Sequence, residues 1–219
     1  MRQFARFALC LTPLAAAAAC ATTPPAPPPP PPPPGPVGET LMDWRGIITA
    51  TDRDRHQRQD AAWDLALDQS RRLEGSGDLS RLGDLIVPDA ARPGVRPPVG
   101  DYRCRTVKLG SQAETGGLGY VVYGWFACRI EDTPRGLKFV KVTGSQRPSG
   151  LLFPEDDREM VMLGSMALGA EPPANSYGQT PDRDMVAVLE RIGEARWRLA
   201  IPWPHNESNL DLIELVPTG

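Results

Sequence analysis

The sequence has few of the residues that enzymes most often use for chemistry at neutral pH. It contains two histidines, His56 and His205, and aromatic residues make up only 6% of its 219 residues. Neither histidine belongs to an HExxH motif, and a pair of His205 and Glu207 has no third ligand at a spacing typical of zinc sites. We therefore predict no metal site, and we place His205 in a loop after Trp203.

Motifs for nucleophilic and phosphate chemistry are also absent. Ser145 and Lys141 resemble the residues of a serine–lysine pair, but the chain has neither an SxxK motif nor a nucleophile elbow. The glycines of Gly116–Gly119 are not followed by a helical pattern, which excludes a phosphate loop. The acidic run Glu155–Glu159 could bind calcium or act as a general acid, although neighbouring acids in a turn are ordinarily solvated. The sequence therefore favours a protein without catalytic activity over an enzyme, and we predict no catalytic residue and no cofactor.

An excess of charge of one sign is missing as well. Lysine and arginine number 24 against 27 aspartates and glutamates, and the formal net charge is −3. The composition therefore predicts no nucleic-acid partner.

No apolar run is long enough to span a bilayer, yet the chain begins like a secreted protein. Met1–Arg6 is basic, and Phe7–Ala19 is an apolar stretch that ends in small residues. This pattern predicts a signal peptide over residues 1–19.

The end of this stretch resembles a bacterial lipobox. Leu14–Cys20 places small residues before a cysteine, although Ala17 stands where lipoboxes usually carry leucine. The resemblance implies that Cys20 is lipidated and begins the mature chain, and Ala21 after it implies sorting to the outer membrane. The alternative is ordinary cleavage near Ala19, which would release a soluble periplasmic protein. We predict a periplasmic domain that is anchored to the outer membrane.

Proline is abundant and concentrated near the start of the chain. The tract Pro24–Pro36 favours a semi-rigid polyproline II helix, which at about 3.1 Å per residue would extend about 40 Å. A role as the ligand of an aromatic groove is the alternative, but the tract lacks the flanking charges that orient such motifs. We predict a lipidated N-terminus and a proline-rich stalk over residues 20–38, followed by a single globular domain over 39–219.

Two cysteines are left to pair in the globular domain, because Cys10 lies in the signal peptide and Cys20 carries the lipid. Cys104 and Cys128 lie within Gly100–Gly150, a stretch typical of short β-strands joined by glycine-containing turns. A disulfide would close a loop of about 25 residues and contribute roughly 3.5 kcal/mol in the chain-entropy model. The alternative is two buried free thiols, and an oxidising compartment favours the disulfide.

The N-terminal part of the domain has a helical pattern that ends near Gly75. The charged run from Asp52 to Asp60 is interpreted as a solvated face, and Asp54 and Arg58 are spaced for an ion pair. The residues predicted to share the packed face recur at helical spacing. They are His56, Gln59, Trp63, Ala66, Leu67, Ser70 and Leu73.

The C-terminal part contains the strongest hairpin pattern. Met185–Ile192 and Ala195–Ile201 are strand-like and flank Gly193–Glu194, which predicts a two-residue type II′ turn. In the second strand, Arg196 and Arg198 alternate with apolar residues and are predicted to face solvent. Counting about eight strands predicts an α+β fold, with N-terminal helices packed on a mainly antiparallel, strongly curved β-sheet or small β-barrel.

Four segments of the domain form a pattern that resembles a known family. They are Gly100–Gly110, Thr143–Arg147, Arg191–Leu199 and Pro202–Ser208. They resemble a proteobacterial envelope family known only as domain of unknown function 4893, over nearly all of the chain after the stalk. The resemblance implies no activity and no catalytic residue. A disulfide-bearing periplasmic barrel is also similar in outline to bacterial metalloprotease inhibitors of the lipocalin-like type, as an analogy of fold alone.

The predicted function is a non-catalytic binding or interaction domain of the cell envelope, with the membrane as one partner through the lipid. An envelope interaction module would expose an apolar patch, whereas a small-ligand or protease-inhibitor-like barrel would contain a cavity. A hydrolase, the least favoured class, would bring His205 or Ser145 together with acids in one cleft. The alternative for the expected binding surface is a pair of purely structural turns. That surface consists of Ser145, Gln146, Arg147, Trp203, His205 and Glu207.

Overall fold

Two short α-helices precede a long series of antiparallel strands. The computed structural model describes residues 43–113 and 115–219. The predicted signal peptide, Cys20 and the proline-rich stalk lie outside the described residues. Within the described range, no helix is both long and apolar enough to cross a membrane. The helices are α1 (Ala50–Gln57) and α2 (Gln59–Arg72), and the strands are β1 (Gly75–Ser76), β2 (Gly100–Leu109), β3 (Tyr120–Thr133), β4 (Gly136–Lys141), β5 (Gln146–Pro154), β6 (Glu159–Leu168), β7 (Asp184–Gly193), β8 (Arg196–Pro202) and β9 (Leu210–Pro217).

Strands β2 to β9 close into an up-and-down barrel. Each strand pairs antiparallel with the next strand in sequence, and β9 returns to pair with β2. Strand β1 adds a two-residue parallel pairing beside β3. The predicted α+β fold with about eight mainly antiparallel strands is confirmed, and the barrel is the form that it takes. Closure is favourable because it pairs backbone groups that an open sheet would leave at its two edges.

The barrel interior is apolar over most of its length. Because side chains alternate across a strand, every second residue of each strand points to the same face. The residues packed in this inner cluster include Tyr102, Cys104, Cys128, Ile130, Leu137, Phe139, Leu152, Met160, Met162, Leu189, Trp197, Leu199, Ile213 and Leu215. An eight-stranded barrel is just wide enough for such side chains to fill it, so this part of the interior is a packed core.

The predicted disulfide lies in this core. Cys104 and Cys128 belong to the neighbouring strands β2 and β3, and they are bonded with a Cα–Cα distance of 5.8 Å. Both residues are buried. The bond therefore links two adjacent strands of the barrel wall from the inside.

A second apolar layer covers part of the outside of the barrel. Helix α2 contributes Trp63 and Ala66, and the segment before β2 contributes Leu82 and Leu85. They pack on outward residues of the barrel that include Val107, Leu109, Ile192, Ala200 and Leu212. Strands β7 to β9 are consequently buried on both faces.

The predicted helical face is right only in part. The helix breaks at Arg58, which has φ −100° and ψ 22° and separates α1 from α2. Trp63 and Ser70 are buried on α2, as predicted, but Leu73 is exposed. His56 lies on α1, and the centroid of its ring is 5.0 Å from the centroid of the Trp44 ring. The predicted ion pair between Asp54 and Arg58 is present at 2.6 Å.

The prediction that Arg198 faces solvent is wrong. Its side chain is fully buried under α2 and the segment before β2, and its guanidinium lies 4.6 Å from the ring of Trp63. It pairs with Glu190 at 2.6 Å and donates to the backbone oxygens of Val87 and Pro88. The alternating pattern identified the outer face of β8 correctly, but a second layer covers that face.

The predicted hairpin turn is displaced by one residue. Strand β7 extends to Gly193 and β8 begins at Arg196, so the turn residues are Glu194 and Ala195. Gly193 does not have a positive φ, which a type II′ turn beginning there would require. The pairing of β7 with β8 shifts register between Arg191 and Gly193, and this shift accommodates the displaced turn.

Candidate functional site

The longest connections between strands lie at one end of the barrel. At the opposite end, strands are joined by short turns at residues 134–135, 155–158 and 194–195. At the end with the longest connections, which we call the loop end, the connections span residues 110–119, 142–145, 169–183 and 203–209. The polar side chains of the barrel interior lie at the loop end.

The barrel wall is incomplete on one side of the loop end. Strand β3 pairs with β4 only over Cys128–Thr133, and β4 pairs with β5 only over Lys138–Val140. Within the described residues, Val122–Phe126 of β3 has no strand partner on the side toward β4. The gap opens into a cleft of about 140 Å³, which we call the lateral slot. It is lined by Thr106, Lys108, Tyr123, Phe126, Lys141, Ser145, Gln146 and Glu207.

Lys141 is a buried cation in the wall of the lateral slot. It is 4% exposed, and its Nζ donates hydrogen bonds of 2.9 Å to the backbone oxygens of Thr143 and Gln146. The ring centroid of Phe126 lies 3.9 Å from the same nitrogen. Within the described residues, no carboxylate forms a salt bridge with Lys141. Burial, together with the charges of Arg147 and Lys108, lowers the pKa of Lys141 to about 8.

Lys108 is a second buried cation in the slot, and it is paired. Its Nζ lies 3.0 Å from Asp211 and 3.1 Å from Glu207. Burial opposes the charge, but the two carboxylates outweigh it and raise the pKa of Lys108 above its usual value. Asp211 also accepts a hydrogen bond from the hydroxyl of Ser208. Lys108 and Asp211 therefore form an ion pair on the inside of the barrel.

Glu207 is the carboxylate at the rim of the slot. Its φ is 74°, in the left-handed region that residues other than glycine rarely occupy. Its backbone oxygen accepts a hydrogen bond from Gln112 N at 2.9 Å, while its side chain remains 58% exposed. Gln112 also donates to the backbone oxygens of Pro204 and Ser208, both at 2.7 Å. The loop that carries Glu207 is thus fixed by the loop between β2 and β3.

A smaller cleft of about 50 Å³ adjoins the slot, with Lys108 and Gln146 lining both spaces. His205 lines this cleft together with Met166. The Nε2 atom of His205 lies 2.9 Å from the backbone oxygen of Asp184. The same atom lies 3.2 Å from a guanidinium nitrogen of Arg55, which is also within hydrogen-bond distance. The Glu207 carboxylate contacts Lys108 rather than joining His205. No group of three or more His, Cys, Asp or Glu in the described ranges is arranged to hold a metal ion.

A buried polar cluster lies behind His205. Asp52 accepts hydrogen bonds from Tyr177 at 2.7 Å and from Arg55 at 2.9 Å. Asp184 is also buried, and one of its carboxylate oxygens has no hydrogen-bond partner within the described residues. Burial raises the pKa of the Asp184 carboxyl. The predicted solvated charge run is therefore wrong at Asp52, which is buried and joins α1 to Tyr177 of the loop between β6 and β7.

The two predicted binding segments lie at the same end of the barrel, but their residues have different surroundings. Ser145, Gln146 and Glu207 line the lateral slot, and Gln146 and His205 line the smaller cleft. Arg147 donates to the backbone oxygens of Gly144, Gly169 and Glu171. Trp203 donates to the backbone oxygen of Arg58 at 2.9 Å, and the Arg58 guanidinium lies 4.7 Å from its ring. Arg147 and Trp203 thus hold the loops in place.

Lys108 and Asp211 are not among the residues predicted from the sequence, which points to Lys141 only as a partner for Ser145. Both hydrogen bonds of Lys141 go to backbone oxygens, and no side chain of the described residues is hydrogen-bonded to Ser145 as a base. A signal for the lysines was present: Lys108 continues the period of two set by Tyr102 and Cys104. Lys141 does the same after Leu137 and Phe139. A charged residue on the inward face of a strand departs from the apolar pattern of a barrel interior. Such a residue is therefore a candidate for a functional role.

Comparison with known proteins identifies a family. A family model described as a domain of unknown function, DUF4893, matches residues 44–215. No curated protein and no solved structure matches the chain. The matched residues include the whole barrel up to β9 and both walls of the lateral slot. The chain therefore belongs to the DUF4893 family of domains of unknown function.

Proposed function

We propose that this protein is a non-catalytic binding domain of the cell envelope, which takes a small ligand into the lateral slot. In this proposal the domain faces the periplasm and is held at the outer membrane by the lipid on Cys20. The proline-rich stalk keeps the domain clear of the membrane surface.

The observation that carries the proposal is the change in the barrel interior along its axis. The interior is packed with apolar side chains toward the short turns, whereas at the loop end it holds Lys108, Lys141, Gln146 and Asp211 around two adjoining clefts. Burial of a charged side chain is costly unless the charge is paired and hydrogen-bonded, so buried lysines around a cleft are candidates for a functional role. A concave site with a few convergent polar groups beside apolar walls is typical of a small-molecule site.

Hydrolysis is poorly supported by the same geometry. A serine nucleophile needs a base within hydrogen-bond reach, and Lys141 is already bonded to two backbone oxygens. His205 lies in the neighbouring cleft, where its ring is held between Arg55 and the backbone of Asp184. Binding without chemistry therefore remains the better account.

The test is to look for a molecule that fills the slot. The full chain is purified from membranes in mild detergent and examined by native mass spectrometry. Ser145 is exposed at the rim, so Ser145→Trp blocks the slot while Ser145→Ala serves as the matched control. We expect a bound small molecule in the wild type and in Ser145→Ala and its loss in Ser145→Trp. An empty wild type, or equal occupancy in all three forms, would contradict the proposal.

A second candidate function, an envelope interaction module, is favoured by one surface feature. Tyr123 and Trp125 are 40% and 43% exposed on the part of β3 that lacks a strand partner toward β4. The guanidinium groups of Arg103 and Arg105 lie 4.6 and 4.9 Å from the Trp125 ring. Exposed aromatic residues with arginine are typical of the centres of protein interfaces.

This candidate is tested by crosslinking in cells, followed by purification from outer-membrane fractions. The wild type is compared with Cys20→Ala, which lacks the proposed anchor, and with Trp125→Ala. An interaction module predicts a specific partner that is captured by the wild type and lost in both variants. Capture that is unchanged in Trp125→Ala would show that this surface is not the interface.

A further inference from the structure

We infer that the ligand of the lateral slot is an organic carboxylate, whose anionic group binds beside Lys141 and Lys108. This inference rests on the proposed function and adds the chemical class of the ligand. It is carried by the balance of charges in the slot, by the position of Glu207 and by the aromatic walls.

Both carboxylates near the slot pair with the same lysine. Lys108 contacts Asp211 at 3.0 Å on the inside of the barrel and Glu207 at 3.1 Å at the rim. Lys141, which also lines the slot, has no salt bridge to any carboxylate within the described residues. Two cations therefore face one buried carboxylate at the inner end of the slot, and the charges balance only when the exposed Glu207 is counted. The inner end of the slot attracts an anion that takes the place of Glu207.

Glu207 shows that a carboxylate fits beside these cations. Its side chain reaches Lys108 at 3.1 Å, yet it is more than half exposed and its backbone has an unfavourable positive φ. Such a contact contributes little, because the Glu207 carboxylate is largely solvated and its side chain can leave Lys108 while the backbone stays in place. A ligand carboxylate can replace Glu207 at Lys108 and also use the field of Lys141.

The remaining walls of the slot suit a compact apolar group. Phe126 and Tyr123 line one side of the slot, which has a volume of about 140 Å³. A carboxylate attached to a ring or a short chain thus matches both parts of the site.

The experiment measures binding of three probes to the full chain by calorimetry at pH 7. The probes are benzoate, its neutral amide benzamide, and phenyl phosphate. Lys141→Met removes the unpaired cation and Glu207→Gln removes the competing carboxylate. Lys138→Gln changes one charge on the same strand, where Lys138 lines a separate groove outside the slot.

We expect benzoate to bind more tightly than benzamide or phenyl phosphate. Lys141→Met should weaken benzoate binding about tenfold, because the attraction between a buried cation and the ligand carboxylate is lost. Glu207→Gln should strengthen it several-fold, since a competitor is removed, and Lys138→Gln should leave it unchanged. Circular dichroism establishes whether each variant is folded. If Lys141→Met does not fold, the effect of Glu207→Gln on benzoate binding tests the inference instead.

Several results would overturn the inference. They are equal binding of benzamide, tighter binding of phenyl phosphate, no effect of Glu207→Gln, or no benzoate binding in any form. The failure of this inference differs from the failure of the proposed function. A neutral molecule that co-purifies with the wild type and is excluded by Ser145→Trp would refute the carboxylate while leaving the binding function intact.

Discussion

At the scale of single residues, Lys141 combines a charged group with an almost fully buried position. Its three protons have favourable neighbours in two backbone oxygens and the face of Phe126, which explains how the ammonium is tolerated. Desolvation and two nearby cations nevertheless disfavour the charge, and the pKa falls to about 8. The charge of the slot therefore changes within an accessible pH range.

This shift predicts a pH dependence of stability that belongs to Lys141. Its pKa is about 8 in the folded state against 10.5 as the ordinary value, so the unfolded chain binds more protons between these two pH values. The free energy of unfolding should therefore rise from about pH 8 to about pH 10.5, by on the order of 3 kcal/mol from this group. Urea unfolding of wild type and Lys141→Met across this range measures the difference. Parallel pH profiles for the two proteins would refute the assignment.

At the scale of elements, Arg198 fixes the outer layer to the barrel. Its guanidinium joins β8 to Glu190 on β7, to the carbonyl groups around Val87 and Pro88, and to Trp63 on α2. One side chain thus connects three parts of the chain that are far apart in sequence. The stability of this layer depends on a charge that has no access to water.

Replacing Arg198 with methionine should destabilise the protein by about 3–5 kcal/mol. The change leaves the Glu190 carboxylate buried without a partner and removes the donors for several backbone oxygens. Arg103→Met is the matched control, because Arg103 is exposed on β2, and it should cost less than about 1 kcal/mol. Denaturant unfolding compares the two variants. Equal losses of unfolding free energy in the two variants would show that the buried Arg198–Glu190 pair contributes no more to stability than an exposed arginine.

Strands β5 and β6 approach each other closely at a pair of glycines. Gly150 pairs with Gly164, and a Cβ on Gly164 would clash with the backbone oxygen of Ser149. Gly164→Ala should therefore destabilise the protein by about 1–3 kcal/mol, because backbone atoms must move. Gly124→Ala on β3 is the control, since its Cβ would meet nothing within 4 Å. A melting temperature that falls equally in both variants would contradict the steric explanation.

At the scale of the whole molecule, the barrel is closed by strand pairing and reinforced by one covalent link. The disulfide between Cys104 and Cys128 joins positions 24 residues apart and lies in the inner core. It also borders the region where β3 separates from β4. The link therefore holds β2 and β3 together just below the lateral slot.

Loss of this disulfide should cost about 2–4 kcal/mol, because the unfolded chain gains conformational freedom. The double variant Cys104→Ala with Cys128→Ala is compared with the wild type by thermal unfolding, with and without a reducing agent. The reductant should lower the melting temperature of the wild type and leave the variant unchanged. An unchanged wild type, with reduction verified by thiol labelling, would show that the bond adds no stability.

Much of the local structure could be predicted from the sequence. Strand segments follow from alternating apolar residues, and the pairing of Cys104 with Cys128 follows from the number of cysteines left in the domain. The sequence also predicts that the β4–β5 turn and the β8–β9 loop share a binding surface, and the structure places both at the loop end. The site was incomplete because Lys108 and Lys141 look like ordinary surface lysines until the inward face of each strand is known.

The sequence by itself determined the family, the α+β class, the approximate number of strands and the disulfide. Each of these depends on residue type and local spacing, which are present in the linear chain. Only the tertiary structure decided that β9 pairs with β2, that Arg198 is buried and that Glu207 reaches Lys108. These features join residues about 100 positions apart, and their geometry follows from how the barrel closes and which loops cover it. The lateral slot belongs to this second group, because it exists only where two strands fail to pair.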